Sequence, residues 1–363
     1  MMEKICMYVW NDFEKDDRVK KKAESLAKKY IVEVHSVCKH KKFRPEVQYS
    51  ENIKVYYYWF NSTFAWLWNR TIGNKNFWKD KAGYCDLVDC NDPDTLWAGY
   101  FSKKANSKIR VIYDSHEYWK GTRRKEYFFA YTLYSYICNT WHYWTEQYLV
   151  KKVADKFICV SPEIRDLLIK DYSLDFKVIA NMASYNDSKA KEYSNIIRGA
   201  SAGFIGSYVR PGADLIGEVF YDNEIHPIAI GGKVKSRKWT NTGFLNKAEF
   251  RKHLMMNKYG ILGYEVNCDN IKYSLPNKLF EYIQAECPVI TVKGMESVIK
   301  IVEKYQIGVV AESLAYNDID LAIKKLIKNR DEYKQNMQKI KKKLCWEAQE
   351  KKLLHIYDWR NLI

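Results

Sequence analysis

The densest group of side chains suited to binding an anion lies at residues 273–290, which read Tyr-Ser-Leu-Pro-Asn-Lys-Leu-Phe-Glu-Tyr-Ile-Gln-Ala-Glu-Cys-Pro-Val-Ile. Pro276 suits the first turn of a helix, where its missing N–H costs nothing. Free backbone N–H groups around Asn277 to Leu279 would then face a phosphate. Lys278 places a positive charge where the helix dipole disfavours one, which indicates anion binding. Glu281 could accept hydrogen bonds from a ribose diol; an ordinary surface helix is the alternative.

A second group follows a β-type run at Ile109–Tyr113 and reads Asp114-Ser-His-Glu117. Open α/β sheets bind ligands at the carboxyl ends of their strands. His116 is therefore a candidate for contact with a ligand, and Glu117 is a second candidate. The alternatives are a structural histidine and a helix-capping glutamate.

Asn91-Asp-Pro-Asp94 contains an Asp-x-Asp string, a pattern that binds metal in some enzymes. Asp92 is also well placed as a helix N-cap with Pro93 at the first helical position. We interpret Asp92 as a cap and predict no metal ligand and no cofactor.

The composition indicates a folded protein with reduced cysteines. The apolar fraction is 47% and the nine cysteines form no Cys-x-x-Cys pair, which is typical of buried thiols in a reducing compartment. The first ten residues do not have the features of a signal peptide. Tyr127–Leu149 is aromatic, but Asn139, His142 and Glu146 interrupt it, which favours a buried or interfacial helix over a membrane span. A cytoplasmic protein is the resulting prediction.

The chain carries 60 Lys and Arg against 44 Asp and Glu, a formal charge of +16. Such an excess favours anionic partners. A pyrophosphate-bearing substrate and the inner, anionic face of a cell membrane are the predicted ones, and nucleic acid is not. A Lys-rich solvated surface is the alternative. Two aromatic and basic stretches, 56–78 and 118–144, suit a membrane interface, sugar stacking or an aromatic core equally.

Short β-type runs alternate with amphipathic helical stretches along both halves of the chain, which predicts parallel sheets built from βαβ units. This alternating pattern stops between the two halves of the chain, where Ser, Asn, Asp and Lys are the most common residues. We therefore predict an α/β protein of two doubly wound, Rossmann-like domains. Their predicted limits are 1–182 and 201–345, with a linker at 183–200 and a C-terminal helix at 346–363.

The motifs together resemble those of family-4 glycosyltransferases of the GT-B fold. Residues 274–290 resemble the "slPnKlfEYmaaGlPVi" segment of that family, and Asp114–Glu117 resembles its "DaHE" turn. Further resemblances lie at Asp17-Arg-Val19, Ala154-Asp155, Gly203–Gly206, Gly243-Phe244 and Trp346-Glu347. The resemblance implies two domains that face each other across a cleft, with the last helix crossing back to the first domain.

The resemblance also implies roles for single residues. Glu281 would bind the donor ribose, and Arg210 with Lys278 would hold the donor diphosphate; His116 would contact the donor sugar. These implied catalytic residues are His116, Arg210 and Lys278. Arg18 and Glu117 would lie on the acceptor side, and the implied donor-binding positions are Gly206, Ser207, Arg210, Phe244, Leu275, Asn277, Lys278, Leu279 and Glu281. The family has a glutamate where this chain has Tyr273.

The implied activity is a retaining, metal-independent transfer. A hexose or N-acetylhexosamine would pass from a nucleotide-diphosphate sugar to a saccharide or lipid-linked acceptor, in surface polysaccharide or glycoconjugate synthesis. The alternatives are a sugar-nucleotide epimerase of the same fold and a non-catalytic protein that binds polyanions or glycans.

Overall fold

The computed structural model describes residues 2–39, 41–42, 44–82, 85–122, 129–185, 201–205 and 209–359, with the backbone alone for 129–135 and 201. The chain divides into two compact units. Unit 1 comprises residues 1–180, 268–270 and 350–363, and unit 2 comprises 181–267 and 271–349. Of the linker predicted at 183–200, residues 186–200 lie outside the described part.

Unit 1 contains an eight-stranded sheet in the order β3-β4-β2-β1-β5-β6-β7-β8. All neighbouring strands are parallel except β3 and β4, which are antiparallel. The strands are β1 (Lys4–Val9), β2 (Ile31–Cys38), β3 (Glu46–Ser50), β4 (Ile53–Trp59), β5 (Leu87–Asn91), β6 (Arg110–Ser115), β7 (Lys156–Cys159) and β8 (Phe176–Val178). The helices are α1 (Asp17–Leu26), α2 (Thr63–Arg70), α3 (Asn74–Lys79), α4 (Leu96–Ala105), α5 (Phe129–Val153) and α6 (Pro162–Tyr172).

The second half of the chain forms a six-stranded, wholly parallel sheet in the order β11-β10-β9-β12-β13-β14. Its strands are β9 (Ser201–Ile205), β10 (His226–Ile230), β11 (Thr240–Gly243), β12 (Tyr259–Ile261), β13 (Val289–Val292) and β14 (Gly308–Ala311). The helices are α7 (Ala213–Asp222), α8 (Lys247–Met256), α9 (Asp269–Tyr273), α10 (Asn277–Ala285), α11 (Glu296–Tyr305), α12 (Tyr316–Lys328), α13 (Arg330–Ile340) and α14 (Trp346–Tyr357). The predicted α/β class with two parallel sheets is confirmed.

Two strands were not among those predicted, β3 and β11. Both lie at an edge of their sheet and pair on one side only. Edge strands bury less surface and so carry a weaker apolar pattern. In β11 the sequence Thr-Asn-Thr-Gly contains no apolar side chain at all.

A fully buried network of charges lies in unit 1 beneath the end of β6. Asp114 accepts hydrogen bonds from the Arg18 guanidinium at 2.7 and 3.2 Å and from the Lys22 ammonium at 2.7 Å. Lys22 also lies 2.9 Å from Asp89 and donates to Asn91. Burial alone would raise the pKa of Asp114, but these cations hold it well below its usual range. Val19, Ala23 and Leu26 recur at helical spacing in α1 and mark its buried face, but this spacing does not reveal the buried charges.

Helix α5 buries polar side chains and exposes apolar ones. Glu146 accepts hydrogen bonds from the hydroxyls of Tyr113 (2.6 Å) and Tyr172 (2.7 Å), and burial raises its pKa to about 7. Tyr136, Ile137, Trp144 and Tyr148 are all exposed. Within the described ranges, no helix is long and apolar enough to cross a membrane.

The Lys22 network predicts a large loss of stability when Lys22→Met removes its cation. Breaking a buried ion pair leaves an uncompensated charge and costs about 3–5 kcal/mol. Urea unfolding followed by circular dichroism measures the change. The control is Lys28→Met, because Lys28 forms an exposed pair with Glu350 and an exposed pair contributes about 1 kcal/mol at most. Equal stability of the two variants would contradict the assigned role.

Candidate active site

Two cations of unit 2 converge on one aromatic ring. The Arg210 guanidinium lies 4.7 Å from the centre of the Tyr264 ring. The Lys278 ammonium lies 5.3 Å from the same centre and 4.3 Å from that of Phe204. Both cationic side chains are half-buried. Sequence reasoning named the two cations but not the two rings, which reach them from β9 and from the loop after β12.

The closeness of these cations changes the chemistry of the lysine. Burial lowers the pKa of Lys278 to about 7, and the charge of Arg210 contributes to the decrease. An anion placed between the two side chains would relieve their repulsion and favour the protonated ammonium. The geometry is therefore suited to a multiply charged anion such as a diphosphate.

Helix α10 carries Lys278 in its first turn, but it begins one residue later than predicted. Pro276 is the N-cap residue, with φ −68° and ψ 140°, and Asn277 is the first helical residue. The Leu279 N–H donates to the Pro276 carbonyl at 3.1 Å, so it is already used. Leu275 and Leu279 are buried, and Asn277 is exposed.

The other predicted donor-site positions are spread over unit 2. Glu281 is half-buried one turn after Asn277. Phe244 is 84% exposed and follows Gly243, whose φ of +68° requires the conformational freedom of glycine. Gly206 and Ser207 lie outside the described residues.

A pocket of about 550 Å³ lies in unit 1 at the carboxyl ends of its central strands. Its wall combines indole rings with carboxylates and cations, a mixture suited to sugar rings and their hydroxyls. The polar and aromatic lining residues are Trp10, Trp66, Trp119, Asn11, Asp12, Asp16, Asp92, Asp94, Glu117, Lys15, Lys39, Arg70 and His116.

His116 lines this pocket between two carboxylates. Its Nδ1 lies 3.0 Å from Asp92, and its Nε2 lies 3.5 Å from Asp114. Burial would lower the pKa of His116, but the two carboxylates outweigh it and raise the pKa to about 10. The ring is therefore a fixed positive charge at neutral pH and cannot act there as a general base.

Asp92 holds His116 through both backbone and ring. Its carboxylate accepts hydrogen bonds from the His116 N–H at 2.9 Å and from the Trp119 indole at 3.3 Å, besides its contact with the His116 ring. The backbone of Asp92 has φ 67° and ψ 163°, a strained region that non-glycine residues occupy at a cost of about 1–3 kcal/mol. Asp92 does occupy the N-cap position before Pro93, but its side chain makes no capping hydrogen bond. The capping interpretation of its side chain is therefore wrong.

The two predicted acceptor-side residues have different surroundings. Arg18 is 3% exposed, and its guanidinium is engaged by Asp114 and by the Ile179 carbonyl at 2.8 Å. The N–H groups of the Arg18 guanidinium therefore donate hydrogen bonds to partners in the interior of unit 1. Glu117 lines the pocket beside His116.

The fold is that of a GT-B glycosyltransferase. Sucrose-phosphate synthase from Thermosynechococcus elongatus has a TM-score of 0.74 to this chain, covers 99% of each chain and is 12% identical. The catalytic domain of starch synthase IV from Arabidopsis thaliana, bound to ADP and acarbose, has a TM-score of 0.62 over 98% of each chain at 11% identity. WaaG, a glycosyltransferase of lipopolysaccharide biosynthesis, has a TM-score of 0.63 over 96% of this chain and 98% of its own, at 11% identity. Such low identities show the fold alone.

Two sequence families identify the chain more closely. Residues 19–183 match Glycosyltransferase Family 4, and residues 213–355 match the C-terminal domain described as Glucosyltransferase 3-like. The chain belongs to the family-4 glycosyltransferases, with a glucosyltransferase-3-like C-terminal domain, and transfers a sugar from a nucleotide sugar. No curated protein gives a significant sequence match.

The sequence also indicated that Asp92 could contact His116, but the interpretation of Asp92 as a helix cap took precedence. Asn91 ends β5 and Ser115 ends β6, and these strands are neighbours in the sheet. Side chains that follow neighbouring parallel strands meet at one edge. The pairing of Asp92 with His116 follows from that rule once the strand order is known.

The contact between Asp92 and His116 predicts that Asp92→Asn lowers the pKa of His116 by at least about one pH unit, because a carboxylate at this distance shifts a neighbouring pKa by about 1–3. Titration of the His116 ring followed by NMR measures this pKa. Asp12→Asn is the matched control, because Asp12 lines the same pocket but pairs with Lys42. An unchanged titration of His116 in Asp92→Asn would refute the assignment.

Proposed function

We propose that Arg210 and Lys278 bind the diphosphate of the donor, and this pair is the observation that carries the proposal. Two cations that both lie within 5.3 Å of one ring centre, one with a pKa lowered to about 7, form an unfavourable arrangement without an anion. The first N–H groups of α10 add partial positive charge on the same side as Lys278. The nucleotide sugars that this family uses contain such a diphosphate.

The proposed reaction transfers a hexose or N-acetylhexosamine with retention of configuration. The bond from the anomeric carbon to the diphosphate oxygen breaks, and its electron pair leaves with the diphosphate. The acceptor hydroxyl forms the new bond to the anomeric carbon, and its proton passes to the departing diphosphate oxygen. Arg210 and Lys278 stabilise the charge that develops on the leaving group, the role that a metal has in other enzymes. Retention and metal independence come from the resemblance to the family.

The remaining donor contacts are proposed from the motifs. Glu281 would accept hydrogen bonds from the ribose hydroxyls, and the backbone at Phe244 would face the base. Gly206, Ser207 and Asn277 would border the phosphates. His116 would contact the donor sugar with the positively charged ring that Asp92 and Asp114 maintain.

The proposed acceptor is a saccharide or a lipid-linked saccharide, as in the synthesis of surface polysaccharides or glycoconjugates. The pocket of unit 1 supports this because it combines three indole rings with carboxylates. Indole faces stack on sugar rings, and carboxylates accept hydrogen bonds from sugar hydroxyls. Glu117 is the proposed acceptor-side carboxylate.

We also propose that an anionic membrane surface is a partner of unit 1. Trp144 and Tyr148 are 61% and 57% exposed on α5, and the Lys152 ammonium lies 3.5 Å from the centre of the Tyr148 ring. Aromatic side chains beside lysines are typical of proteins that bind the interface of acidic bilayers. This surface would bring the enzyme to a lipid-linked acceptor at the inner face of the cell membrane.

The diphosphate site predicts that Arg210→Met and Lys278→Met each lower kcat/KM for transfer roughly 100- to 1,000-fold, the usual effect of losing one group that stabilises a leaving anion. Activity is measured as nucleotide release with a panel of sugar nucleotides. Lys252→Met is the control, because Lys252 is exposed on α8 of the same unit.

Unchanged activity in either variant, with a folded protein by thermal melting, would contradict the diphosphate site. NMR of the product in the same assay tests the stereochemical part. An inverted anomeric carbon would overturn retention but leave the diphosphate site intact.

The membrane proposal predicts that the protein sediments with vesicles containing phosphatidylglycerol and that Trp144→Ser with Tyr148→Ser weakens this several-fold. The lost contacts are apolar area and aromatic rings at the lipid interface. Tyr316→Ser is the control, because Tyr316 is similarly exposed in unit 2. Equal sedimentation of both variants, or no binding at low salt, would contradict the proposal.

A further inference from the structure

A second cluster of ligating side chains lies on the sheet of unit 1, apart from the residues of the pocket. Cys6 in β1 pairs in register with Glu33 in β2, and His35 follows on the same face of β2. One donor atom from each of the three residues lies within 4.8 Å of those of the other two. The Cys6 thiol lies 4.0 Å from the Glu33 carboxylate. Strand pairing alone brings these residues together, because no short motif links them.

A second thiol lies beside Cys6 but outside this group of three. Cys85 precedes β5, the other neighbour of β1, and its side chain hydrogen-bonds the Cys6 thiol. The group of three offers one thiol, one imidazole nitrogen and one carboxylate, and Cys85 is a second thiol next to the first. These are the donor types from which tetrahedral zinc sites are built.

His35 has the arrangement expected of a metal ligand. Its ring is stacked between Tyr8 and Tyr56, with ring centres 4.7 and 5.1 Å away. Nδ1 lies 2.9 Å from the Tyr58 hydroxyl, whereas Nε2 is buried without a hydrogen-bond partner. Metal-binding histidines commonly donate one ring nitrogen to a partner that fixes the tautomer, and the other nitrogen binds the metal. Tyr58 is suited to be that partner.

Ordinary core packing explains only part of this arrangement. Buried thiols are common in sheets, but a buried ring nitrogen without a partner is costly. The Lys4 ammonium lies 2.8 Å from Glu33, so this corner already attracts a cation. The Lys4 side chain is 33% exposed and has a path to solvent if a metal ion takes its place.

We propose that Cys6, Glu33 and His35 bind a thiophilic divalent cation of the zinc type, and that Cys85 becomes the fourth ligand when its side chain turns from the Cys6 thiol to the metal. Four protein ligands leave no open position, which makes the site structural rather than catalytic. Binding would replace the two thiol protons, which are released to solvent. The site is independent of the proposed transfer reaction.

The test on the unaltered protein uses Co²⁺ as a spectroscopic probe after treatment with a chelator. One equivalent of Co²⁺ should give the visible bands of a tetrahedral ion and a near-ultraviolet thiolate charge-transfer band. In parallel, Cd²⁺ should protect Cys85, which is half-buried, from alkylation, as identified by peptide mass. This second measurement needs no variant and so does not depend on the folding of one.

The variants assign the ligands. Cys6→Ser or Cys85→Ser should halve the charge-transfer band, and Tyr58→Phe should weaken binding by roughly 10- to 100-fold through the orientation of His35. Cys38→Ser is the matched control, because Cys38 is also buried in β2 but lies on the opposite face. It should leave the spectrum unchanged.

An octahedral Co²⁺ spectrum without a thiolate band would overturn the proposal. So would protection of other cysteines, or of none, by Cd²⁺. Formation of a Cys6–Cys85 disulfide in air together with no metal binding would identify the pair as a redox couple instead.

Discussion

The buried carboxylate of Asp114 is the constraint on which unit 1 depends. A charge in the interior is stable only where it is paired and hydrogen-bonded, and Asp114 obtains its partners from α1 and from His116. The same carboxylate thus fixes the packing of a helix and the charge of a residue in the pocket. Asp114 thus contributes both to the stability of unit 1 and to the charge of His116 in the pocket. A substitution of Asp114 would therefore affect both.

Unit 2 has the opposite arrangement. Arg210 and Lys278 lie close together over aromatic rings, where cations gain some stabilisation from ring faces but repel each other. The network of unit 1 is complete without a ligand, whereas this pair gains most when an anion binds. An anionic ligand would relieve the repulsion between the two cations. For this reason the functional proposal rests on the pair rather than on His116.

The sequence predicted what depends on local pattern. Buried β-type runs mark the central strands, and the motif at Lys278 predicted a residue in the first turn of a helix, which is where the lysine lies in α10. The partners of Lys22 lie 67 and 92 residues away along the chain. The local sequence of α1 therefore did not indicate that this charge is buried. Asp92 could cap a helix or hold His116, and only the pairing of β5 with β6 decides between these contacts.

The most direct test of the account is calorimetric titration with a nucleoside diphosphate in buffers of different ionisation enthalpy near pH 7. A diphosphate bound between the two cations raises the pKa of Lys278 from about 7, so binding should take up about half a proton. Affinity should fall as the pH rises further, and Lys278→Met should abolish the proton uptake. Tight binding without proton uptake, or uptake that persists in Lys278→Met, would contradict the account.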